Sequence, residues 1–396
     1  MRVVIVSSLF PPFAIGGAEQ VAANLARALT ALGCEVDVIS TCVRRSLEGA
    51  PFRVDHWQGI RVWRLAPRNL YWRYEKEQRQ PGGLLRAIWH GIDLWNPSVF
   101  RPLEMILRQV QPDVVSTHNI DGFSPAVWQA ARKYASAIVH TLHDYHLVCP
   151  RATMRRRDGT MCQRLCHTCG VYAHYHRLFA GNVQALIAPS QAMADVHRLA
   201  GWNGAAIHVV RNGVDVPAAR WADVDDAEPL KLIFMSRMER EKGCETLLTV
   251  IPRCPGVEFH IAGDGTYAER FRQLGGNVTW HGLVSGQSKW DLLSNGDVFL
   301  QLSECRENAP LGLIEAQKCG LYIIGTEVGG IPELIGKTGA LIPPAQPEWL
   351  LDALLTASDR KKTIRAGRFE RARSAGDYDS RAMAREYQNV FRSTLG

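Results

Sequence analysis

The chain has 396 residues, of which 46% are apolar and 21% charged. A chain of this length buries ordinary hydrophobic cores and is expected to form two or three domains. It contains no run of about 18 apolar residues, which is the length that crosses a bilayer, and no signal peptide is evident. We therefore predict a globular enzyme. Its ten cysteines, without an export signal, indicate a reducing compartment, the cytoplasm.

The charge is unevenly distributed along the chain. Residues 1–205 contain 23 Lys and Arg against 14 Asp and Glu, whereas residues 206–396 contain 23 against 25. The basic half includes an Arg- and Trp-rich window: Trp57, Arg61, Trp63, Arg64, Arg68, Trp72, Arg73, Arg79, Arg86, Trp89 and Trp95, followed later by Arg155, Arg156 and Arg157. Arginines interleaved with aromatic residues suit an anionic membrane face, a lipid diphosphate or a nucleic acid. A solvated face over packed tryptophans gives the same pattern.

The chain begins with a Rossmann-like unit. Apolar spacing predicts a strand from Arg2 to Ser7, a helix from Ala18 to Leu32 and a second strand from Cys34 to Ser40. Gly16 and Gly17 lie at the predicted helix start, where they let a phosphate or a sugar approach the backbone closely.

Strands and helices continue to alternate after this unit. The pattern predicts strands at 113–117, 137–142 and 184–188, and helices at 124–134, near 172–181 and at 191–200. His118 and His143 each follow a strand, at the edge where doubly wound domains place ligand-binding residues. A lone histidine is more often a structural residue.

Four cysteines, Cys149, Cys162, Cys166 and Cys169, lie within 21 residues. A Cys-x2-Cys pair supplies two of the four ligands of a tetrahedral zinc site, and His146 and His167 are substitute ligands. Three alternatives remain open from the sequence: a structural zinc site, disulfide bonds, or unligated thiols.

A second series of strands and helices begins at Ile207, so we place a hinge near residues 203–207. Leu232 to Ser236 reads as a buried strand, followed by a loop with Arg237 and Lys242 and a helix from Cys244 to Ile251. An Arg fork and a Lys charge at a helix N-terminus suit a diphosphate.

Two carboxylates, Glu307 and Glu315, stand eight positions apart after a further apolar run. Pro310 favours a helix start, so the N–H groups near Leu311 and Gly312 are free to bind an anion, helped by the helix dipole. The alternative is a pair of solvated surface acids. Asp223 and Asp225 have the metal-binding D-x-D spacing, but they lie in an acidic loop without a preceding buried strand, so we interpret them as solvated surface.

These motifs together resemble the retaining nucleotide-sugar glycosyltransferases of family four. The matching elements are E-x7-E (Glu307 and Glu315), R-x4-K-G (Arg237, Lys242, Gly243), G-G-A-E (Gly16 to Glu19), Asn212 to Asp215, Ala262 to Gly265, His281-Gly282 and Gly329 to Glu333. In that family the second Glu holds the ribose diol, the first lies beside the sugar, and the cations grip the donor diphosphate.

The resemblance implies an α/β fold called GT-B, with two Rossmann-like domains facing a cleft and a C-terminal helix that crosses back to the first domain. We assign residues 1–205 to an acceptor-binding domain with a Cys-rich insertion at 149–172, residues 206–376 to a nucleotide-sugar donor domain, and the tail 377–396 to the first domain. The amphipathic spacing of Met383, Tyr387, Val390 and Phe391 agrees with such a helix.

The resemblance also implies roles for the site residues. Glu307, His118, Arg237 and Lys242 are assigned to catalysis, and Gly16, Gly17, His143, Leu311, Gly312 and Glu315 to substrate binding. No cofactor is required for catalysis, because the cations replace a divalent metal. Some family members share a similar C-P-R…C…C-x2-C insertion, which favours a structural zinc.

The expected reaction is transfer of a sugar from a nucleotide diphosphate sugar to a saccharide acceptor. The positive charge of the first half of the chain favours a lipid-linked acceptor and a location at the inner face of an anionic membrane. We expect no nucleic-acid partner. The loop departs from the family at Glu307-Asn308-Ala309-Pro310, where E-G-F-G is usual, which leaves the sugar open. The rival hypotheses are a nucleotide-sugar 2-epimerase and a non-catalytic basic module that binds membrane or nucleic acid.

Overall fold

The computed structural model describes residues 1–13, 16–74, 82–156, 159–217, 221 and 227–396. The Asp223-Val224-Asp225 segment, Arg79 and Arg157 lie outside the described residues.

The strands of the described part are β1 Arg2–Ser7, β2 Glu35–Thr41, β3 Arg53–Trp57, β4 Ile60–Leu65, β5 Val114–Thr117, β6 Ala137–Thr141, β7 Ala185–Ala188, β8 Ala206–Val209, β9 Leu230–Met235, β10 Val257–Ala262, β11 Val278–Gly282, β12 Val298–Gln301, β13 Tyr322–Thr326 and β14 Gly339–Ile342. The helices are α1 Gly17–Ala31, α2 Gly83–Leu94, α3 Phe100–Val110, α4 Ala126–Ala131, α5 His167–Arg177, α6 Gln191–Leu199, α7 Cys244–Val250, α8 Ala268–Arg272, α9 Gly286–Asn295, α10 Leu311–Lys318, α11 Ile331–Ile335, α12 Pro347–Asp359, α13 Lys361–Ala366, α14 Arg368–Ser374 and α15 Ser380–Leu395.

The strands form two separate sheets. The first has the order β3-β4-β2-β1-β5-β6-β7-β8 and is parallel except at β3, and the second has the order β11-β10-β9-β12-β13-β14 and is parallel throughout. Each sheet is covered on both faces, because alternate residues of one strand enter different cores. In β1, for example, Val4 and Val6 pack on one side and Val3 and Ile5 on the other. Two doubly wound domains therefore form, as predicted.

The C-terminal helix α15 crosses back and packs on the first domain. Its Met383, Tyr387 and Phe391 are buried in the same core as Val3 and Leu25. The Tyr387 hydroxyl also lies 3.1 Å from Thr141 Oγ1, at the end of β6. The prediction of a crossing tail helix is confirmed.

The boundary between the sheets lies later than the sequence pattern indicates. Strand β8 was expected to open the second domain, yet it pairs in parallel with β7 and completes the first sheet. The expected hinge at residues 203–207 precedes this strand, whereas the chain changes sheet between Val209 and Leu230. Strand pairing is a tertiary contact, so the periodicity of β8 alone does not show which sheet it joins.

Two predicted helices have different limits in the structure. The helix expected at 124–134 is shorter, since Ser124 has a positive φ of 55° and Pro125 is the N-cap. The helix expected near 172–181 begins at His167, immediately after Cys166. Among the described residues, no helix has both the length and the apolar character that a membrane crossing needs.

The packing of α15 generates a stability prediction. Phe391 is fully buried, so Phe391→Ala is expected to lower the free energy of unfolding by about 3–5 kcal/mol through lost burial and a cavity. The exposed Arg385 on the same helix is the control, and Arg385→Ala is expected to cost less than about 0.5 kcal/mol. Urea unfolding measures both; equal losses would show that α15 does not belong to the core.

Candidate active site

A cavity of about 370 Å³ lies between the two domains. The first domain contributes the start of α1 and the segments after β6 and β7, and the second contributes the loops after β9 and β12 and the start of α10. The lining residues are Gly16, Gly17, Ala18, Val21, His143, Pro189, Asn212, Met235, Ser236, Arg237, Lys242, Gln301, Glu307, Asn308, Ala309, Pro310, Leu311 and Gly312. Eight of the ten residues predicted for catalysis or substrate binding line this cavity; His118 and Glu315 do not.

Two helix starts face each other across the cavity. Gly16 is the N-cap of α1, and its N–H donates to Glu19 Oε2 at 2.8 Å, so Glu19 holds the turn in place. A Cβ on Gly17 would lie 3.6 Å from the Leu311 side chain, at the start of α10. The starts of α1 and α10 therefore come close to each other across the cleft.

Helix α10 presents backbone donors to the cavity. Pro310 is its N-cap, with φ −65°, and no side chain caps the N–H groups of its first turn. These groups carry the positive end of the helix dipole, which favours an anion. The predicted helix start at Pro310 is therefore placed on the cavity wall.

The two predicted cations differ in their surroundings. The Arg237 side chain is 67% exposed, and its only ion-pair partner in the described part of the chain is Glu241, at 3.7 Å. The Lys242 side chain is only 17% exposed and forms an ion pair with Glu307. Arg237 is therefore the more available cation for a ligand that enters the cleft.

The Glu307 side chain is only 16% exposed and is paired through one carboxylate oxygen. Its Oε1 accepts from Lys242 Nζ and, at 2.6 Å, from Ser303 Oγ. Burial by itself would raise the pKa of Glu307, but Lys242, Ser303 and Arg237 together lower the pKa below its ordinary value. The pKa of Lys242 is raised, since the attraction of Glu307 outweighs the effect of burial. Both groups are thus ionised at neutral pH.

Glu315 lies beside the cavity on α10. It is three residues after Gly312, which lines the cavity, so the two share a helix face. Its Oε1 accepts from Lys289 Nζ of α9 at 2.6 Å. Burial raises the pKa of Glu315, and Lys289 opposes the rise without cancelling it. The sequence did not indicate Lys289, because nothing local places α9 next to α10.

The two predicted histidines form a pair at the carboxyl edge of the first sheet. His118 Nδ1 lies 2.8 Å from His143 Nε2, and His118 stacks on Tyr387 of the tail helix. Burial lowers the pKa of His143 to about 4, and burial with the neighbouring His143 and His140 lowers the pKa of His118 well below its usual range. The pair is thus neutral near pH 7. His143 lines the cleft and His118 supports it.

The glycines of the Gly329-Gly330 pair fasten the Glu307 loop. Gly329 has φ +58°, and a Cβ there would lie 2.0 Å from the Glu307 carbonyl oxygen. A Cβ on Gly330 would lie 1.9 Å from the Asn308 carbonyl oxygen, while its N–H donates to the Glu307 carbonyl at 2.8 Å. Any larger residue would displace the loop that carries Glu307.

This geometry agrees with the comparison to known proteins. The family model described as Glycosyltransferase Family 4 matches residues 15–217, and the one described as Glycosyl transferases group 1 matches residues 229–359. The chain belongs to glycosyltransferase family 4.

Relatives of this family-4 glycosyltransferase match nearly its whole length. An uncharacterised 42.6 kDa protein in the cps region of Klebsiella pneumoniae is 27% identical over 84% of this chain and 87% of its own. Sucrose-phosphate synthase from Thermosynechococcus elongatus superposes with a TM-score of 0.72 at 20% identity, covering 99% of this chain and 98% of that chain. HepE from Anabaena, in complex with UDP, has a TM-score of 0.70 at 16% identity, covering 99% and 100%. The structural neighbours show the shared GT-B fold, so the predicted fold is confirmed.

The predicted zinc site of this glycosyltransferase is not supported. In the described ranges, no group of three or more His, Cys, Asp or Glu side chains is arranged to hold a metal ion. All ten cysteines are free thiols, so the disulfide alternative is not formed either. Cys149 and Cys169 are buried in the first core and Cys162 packs against it, whereas Cys166 is exposed. The buried thiols serve as small apolar side chains in the core.

The Cys-rich insertion instead contacts the loop around Glu307. Arg155 Nη2 lies 3.4 Å from Glu304 Oε2, and Arg306 Nη2 donates to the Cys162 carbonyl at 3.5 Å. Asn308 Nδ2 donates to the His143 carbonyl. The insertion therefore joins the two domains next to the active site, a role that the cysteine spacing did not indicate.

The Lys242 and Glu307 pair generates a pH-dependent prediction. Lys242→Met leaves a buried carboxylate without its cation, which is expected to lower the free energy of unfolding by about 3–5 kcal/mol at pH 7. Because the folded pKa of Glu307 is depressed, this stabilisation is present above the unfolded pKa of about 4.3 and is lost as the pH falls through the folded value. The loss measured by urea unfolding should shrink over that range.

The double variant Lys242→Met/Glu307→Gln is the control, because it removes both charges. It should be more stable at pH 7 than Lys242→Met alone. If the two variants are equally stable at every pH, then Lys242 does not compensate the charge of Glu307.

Proposed function

We propose that this family-4 glycosyltransferase transfers a sugar, with retention of anomeric configuration, from a nucleotide diphosphate sugar to a hydroxyl of a saccharide acceptor. The observation that carries the proposal is the single cavity where Arg237 and the uncapped start of α10 meet Gly16 and Gly17 of the other domain, while Lys242 on the same wall is paired with Glu307. Arg237 and the two helix starts favour a diphosphate between the domains.

The chemistry of the leaving group explains why positive charge and hydrogen-bond donors lie together in this cavity. As the bond between sugar and diphosphate breaks, negative charge builds on the diphosphate oxygens. Fixed donors at that place stabilise the transition state more than the ground state. Arg237, the N–H groups of Leu311 and Gly312, and the N-terminus of α1 are the donors we assign to it. These cations and dipoles take the role that a divalent metal plays elsewhere, so no cofactor is assigned.

The two acidic residues indicate where the nucleoside and the sugar of the donor bind in the cleft. We assign Glu315 to the ribose diol, since it is the carboxylate on α10 nearest the diphosphate site, and donor binding would compete with Lys289 for it. We assign Glu307 and His143 to the sugar. Glu307 remains ionised, which suits stabilisation of positive charge at the anomeric carbon. His118 acts through His143 by fixing the orientation of its ring.

Three features support an acceptor at a membrane. The 27% identical Klebsiella relative is a protein in the cps region, and the first domain carries the positive excess. Helix α2 exposes Leu84, Leu85 and Ile88 in this basic domain. An apolar helix face within a basic surface suits the anionic inner leaflet, so we propose peripheral membrane association and a lipid-linked saccharide acceptor.

The tryptophans of the Arg- and Trp-rich window contribute less than their number indicates. Trp63 and Trp89 are buried, and Trp57 packs edge-to-face on Phe10 with ring centroids 5.1 Å apart. Trp95 is exposed. The membrane proposal therefore depends on α2 and on the arginines rather than on an aromatic belt.

The experiment that tests the reaction has a turnover arm and a binding arm. Transfer from UDP-, GDP- and ADP-sugars is measured with saccharide acceptors. With the nucleotide sugar that supports transfer, Arg237→Ala is expected to lower kcat about 100-fold, which is typical for the loss of one hydrogen-bond donor to the transition state. Arg240→Ala, in the same loop but outside the cavity, is the matched control and should retain activity. In the binding arm, Glu315→Ala should weaken binding of the free nucleoside diphosphate in calorimetry.

Three results would contradict this account. Equal kcat for the two arginine variants would remove Arg237 from the transition state. Loss of transfer in EDTA with recovery on adding Mg²⁺ would show that a metal is required. Interconversion of the donor sugar without any acceptor would indicate an epimerase.

Membrane association is tested by sedimentation with vesicles. Wild type should bind vesicles rich in phosphatidylglycerol better than phosphatidylcholine vesicles, and binding should fall as salt rises. Leu84→Glu/Leu85→Glu should weaken binding, because it places charge on the apolar face of α2. The matched control is Leu178→Glu/Leu199→Glu, since both leucines are also exposed on the first domain. Equal binding by the two variants would exclude α2 as the docking face.

A further inference from the structure

The first domain contains a second cavity, of about 710 Å³, which shares no lining residue with the cleft. We call it the arginine groove. Its walls come from the segments after β2 and β4 and from the start of α3: Arg44, Leu47, Gly49, Ala50, Pro51, Ala66, Arg68, Pro97, Ser98, Arg101, Pro102 and Met105. Its size is within the range of small-molecule sites, about 300–1,000 Å³.

The described walls of the groove are positively charged. Arg44, Arg68 and Arg101 are exposed and line it, and no Asp or Glu is among its described lining residues. In the described part of the chain, none of these three guanidinium groups has a carboxylate within ion-pair distance. Arg61 of the same domain, in contrast, forms an ion pair with Asp37 at 2.8 Å. Three free guanidinium groups around one concavity favour an anionic ligand.

The backbone around the arginines is held in place. The Arg68 N–H donates to Ser98 Oγ at 2.8 Å, and the Arg68 carbonyl accepts from Asn96 Nδ2 at 3.1 Å. Asn96 also accepts from the Ser98 N–H at 3.1 Å, at the turn that leads into α3. Helix α3 continues the 3₁₀ turn Pro97–Val99, and the Asn96 side chain caps the start of this helical segment.

The position of the groove relates it to the cleft. Strands β4, β2 and β1 are neighbours and run parallel, so the segments after all three emerge at one edge of the sheet. The segment after β1 leads to Gly16 and Gly17, and those after β2 and β4 form the groove. Helix α3 packs on the face of the sheet that carries Val4 and Val6, whereas α1 packs on the face that carries Val3 and Ile5, so the groove and the cleft lie toward opposite faces at this edge. An acceptor that occupies both sites therefore has to be elongated and pass around the carboxyl edge of the sheet.

We propose that the arginine groove binds the phosphate or diphosphate group of the acceptor substrate while the acceptor hydroxyl reaches into the cleft. This assignment rests on the proposed function and specifies its acceptor class: a saccharide linked to phosphate or diphosphate. Arginine forks match the oxygens of phosphate in two-point contacts, and three of them suit a group with more than one charge better than a single carboxylate. The groove also has room for the first sugar.

The test removes the charge of the groove and compares acceptors. The variant Arg44→Gln/Arg68→Gln/Arg101→Gln is matched by Arg108→Gln/Arg385→Gln/Arg392→Gln, which removes three exposed arginines elsewhere on the same domain and its tail helix. With a saccharide diphosphate acceptor, the groove variant should show a KM at least about tenfold higher, as expected for losing charge-assisted contacts, and the control should not. With the same saccharide lacking phosphate, the two variants should behave alike.

Two further arms separate the source of the anion and the cause of a failure. A water-soluble saccharide diphosphate and the same group on a prenyl chain in phosphatidylcholine vesicles distinguish a free acceptor from a lipid-linked one. Inorganic pyrophosphate, titrated with UDP present to occupy the cleft, should bind wild type and the control more tightly than the groove variant. This arm requires no turnover, so it reports on the groove even if the proposed transfer reaction is wrong.

The proposal is overturned if the groove variant raises KM equally for acceptors with and without phosphate. It is also overturned if the groove variant and the control bind pyrophosphate equally. Hydrolysis of the donor sugar in the absence of acceptor reports on the cleft and should be the same in both variants. Loss of that activity in the groove variant alone would show that the substitutions disturb the cleft.

Discussion

The geometry of the candidate active site depends on the ion pair between Lys242 and Glu307. Lys242 follows the first strand of the second domain and Glu307 follows a neighbouring strand, so the pair connects the two loops that this domain contributes to the cleft. Both side chains are largely buried, and each is stable as an ion because of the other. With Lys242 committed to Glu307, Arg237 and the start of α10 are left as the positive groups facing an incoming anion. The pair thus both shapes the loops and sets which charge is available to the ligand.

The relative position of the domains depends on polar contacts that cross the cleft. Glu333 of the second domain accepts from the N–H groups of Gln191 and Ala192, at 2.7 and 2.6 Å, and so caps α6 of the first domain. Arg27 of α1 pairs with Asp215 at 2.7 Å, and the tail helix packs on the first core. The residues that form these hydrogen bonds and this ion pair are polar and mostly at least partly exposed. Such polar contacts are typical of interfaces between domains that can move relative to each other. These contacts hold the two walls of the cleft next to each other.

The sequence predicted most of the fold because the local patterns agreed with one another. Strand β1 and helix α1 were located to within one residue, since apolar spacing, the glycine after the helix and the buried faces all indicate the same elements, and apolar spacing also indicated the tail helix α15. The sequence pattern was less informative where contacts with a distant segment of the chain decide which sheet or core a residue joins. Strand β8 has few residues and joins the first sheet through its pairing with β7, so the expected boundary preceded it. The Cys-rich insertion was judged by ligand spacing, yet Cys149 and Cys169 are used for packing in the core.

The sequence by itself determined the chemistry that the site contains: paired carboxylates at fixed spacing, an Arg and a Lys before a helix, and glycines at a helix start. These are local features, because loop and helix-start residues are recognisable from their immediate neighbours. Only the tertiary structure decided which groups meet. It paired Glu307 with Lys242 and Glu315 with Lys289, placed His143 rather than His118 on the cleft, and gathered Arg44, Arg68 and Arg101 into one groove. Such contacts join residues far apart in the chain, and strand order and helix packing alone bring them together.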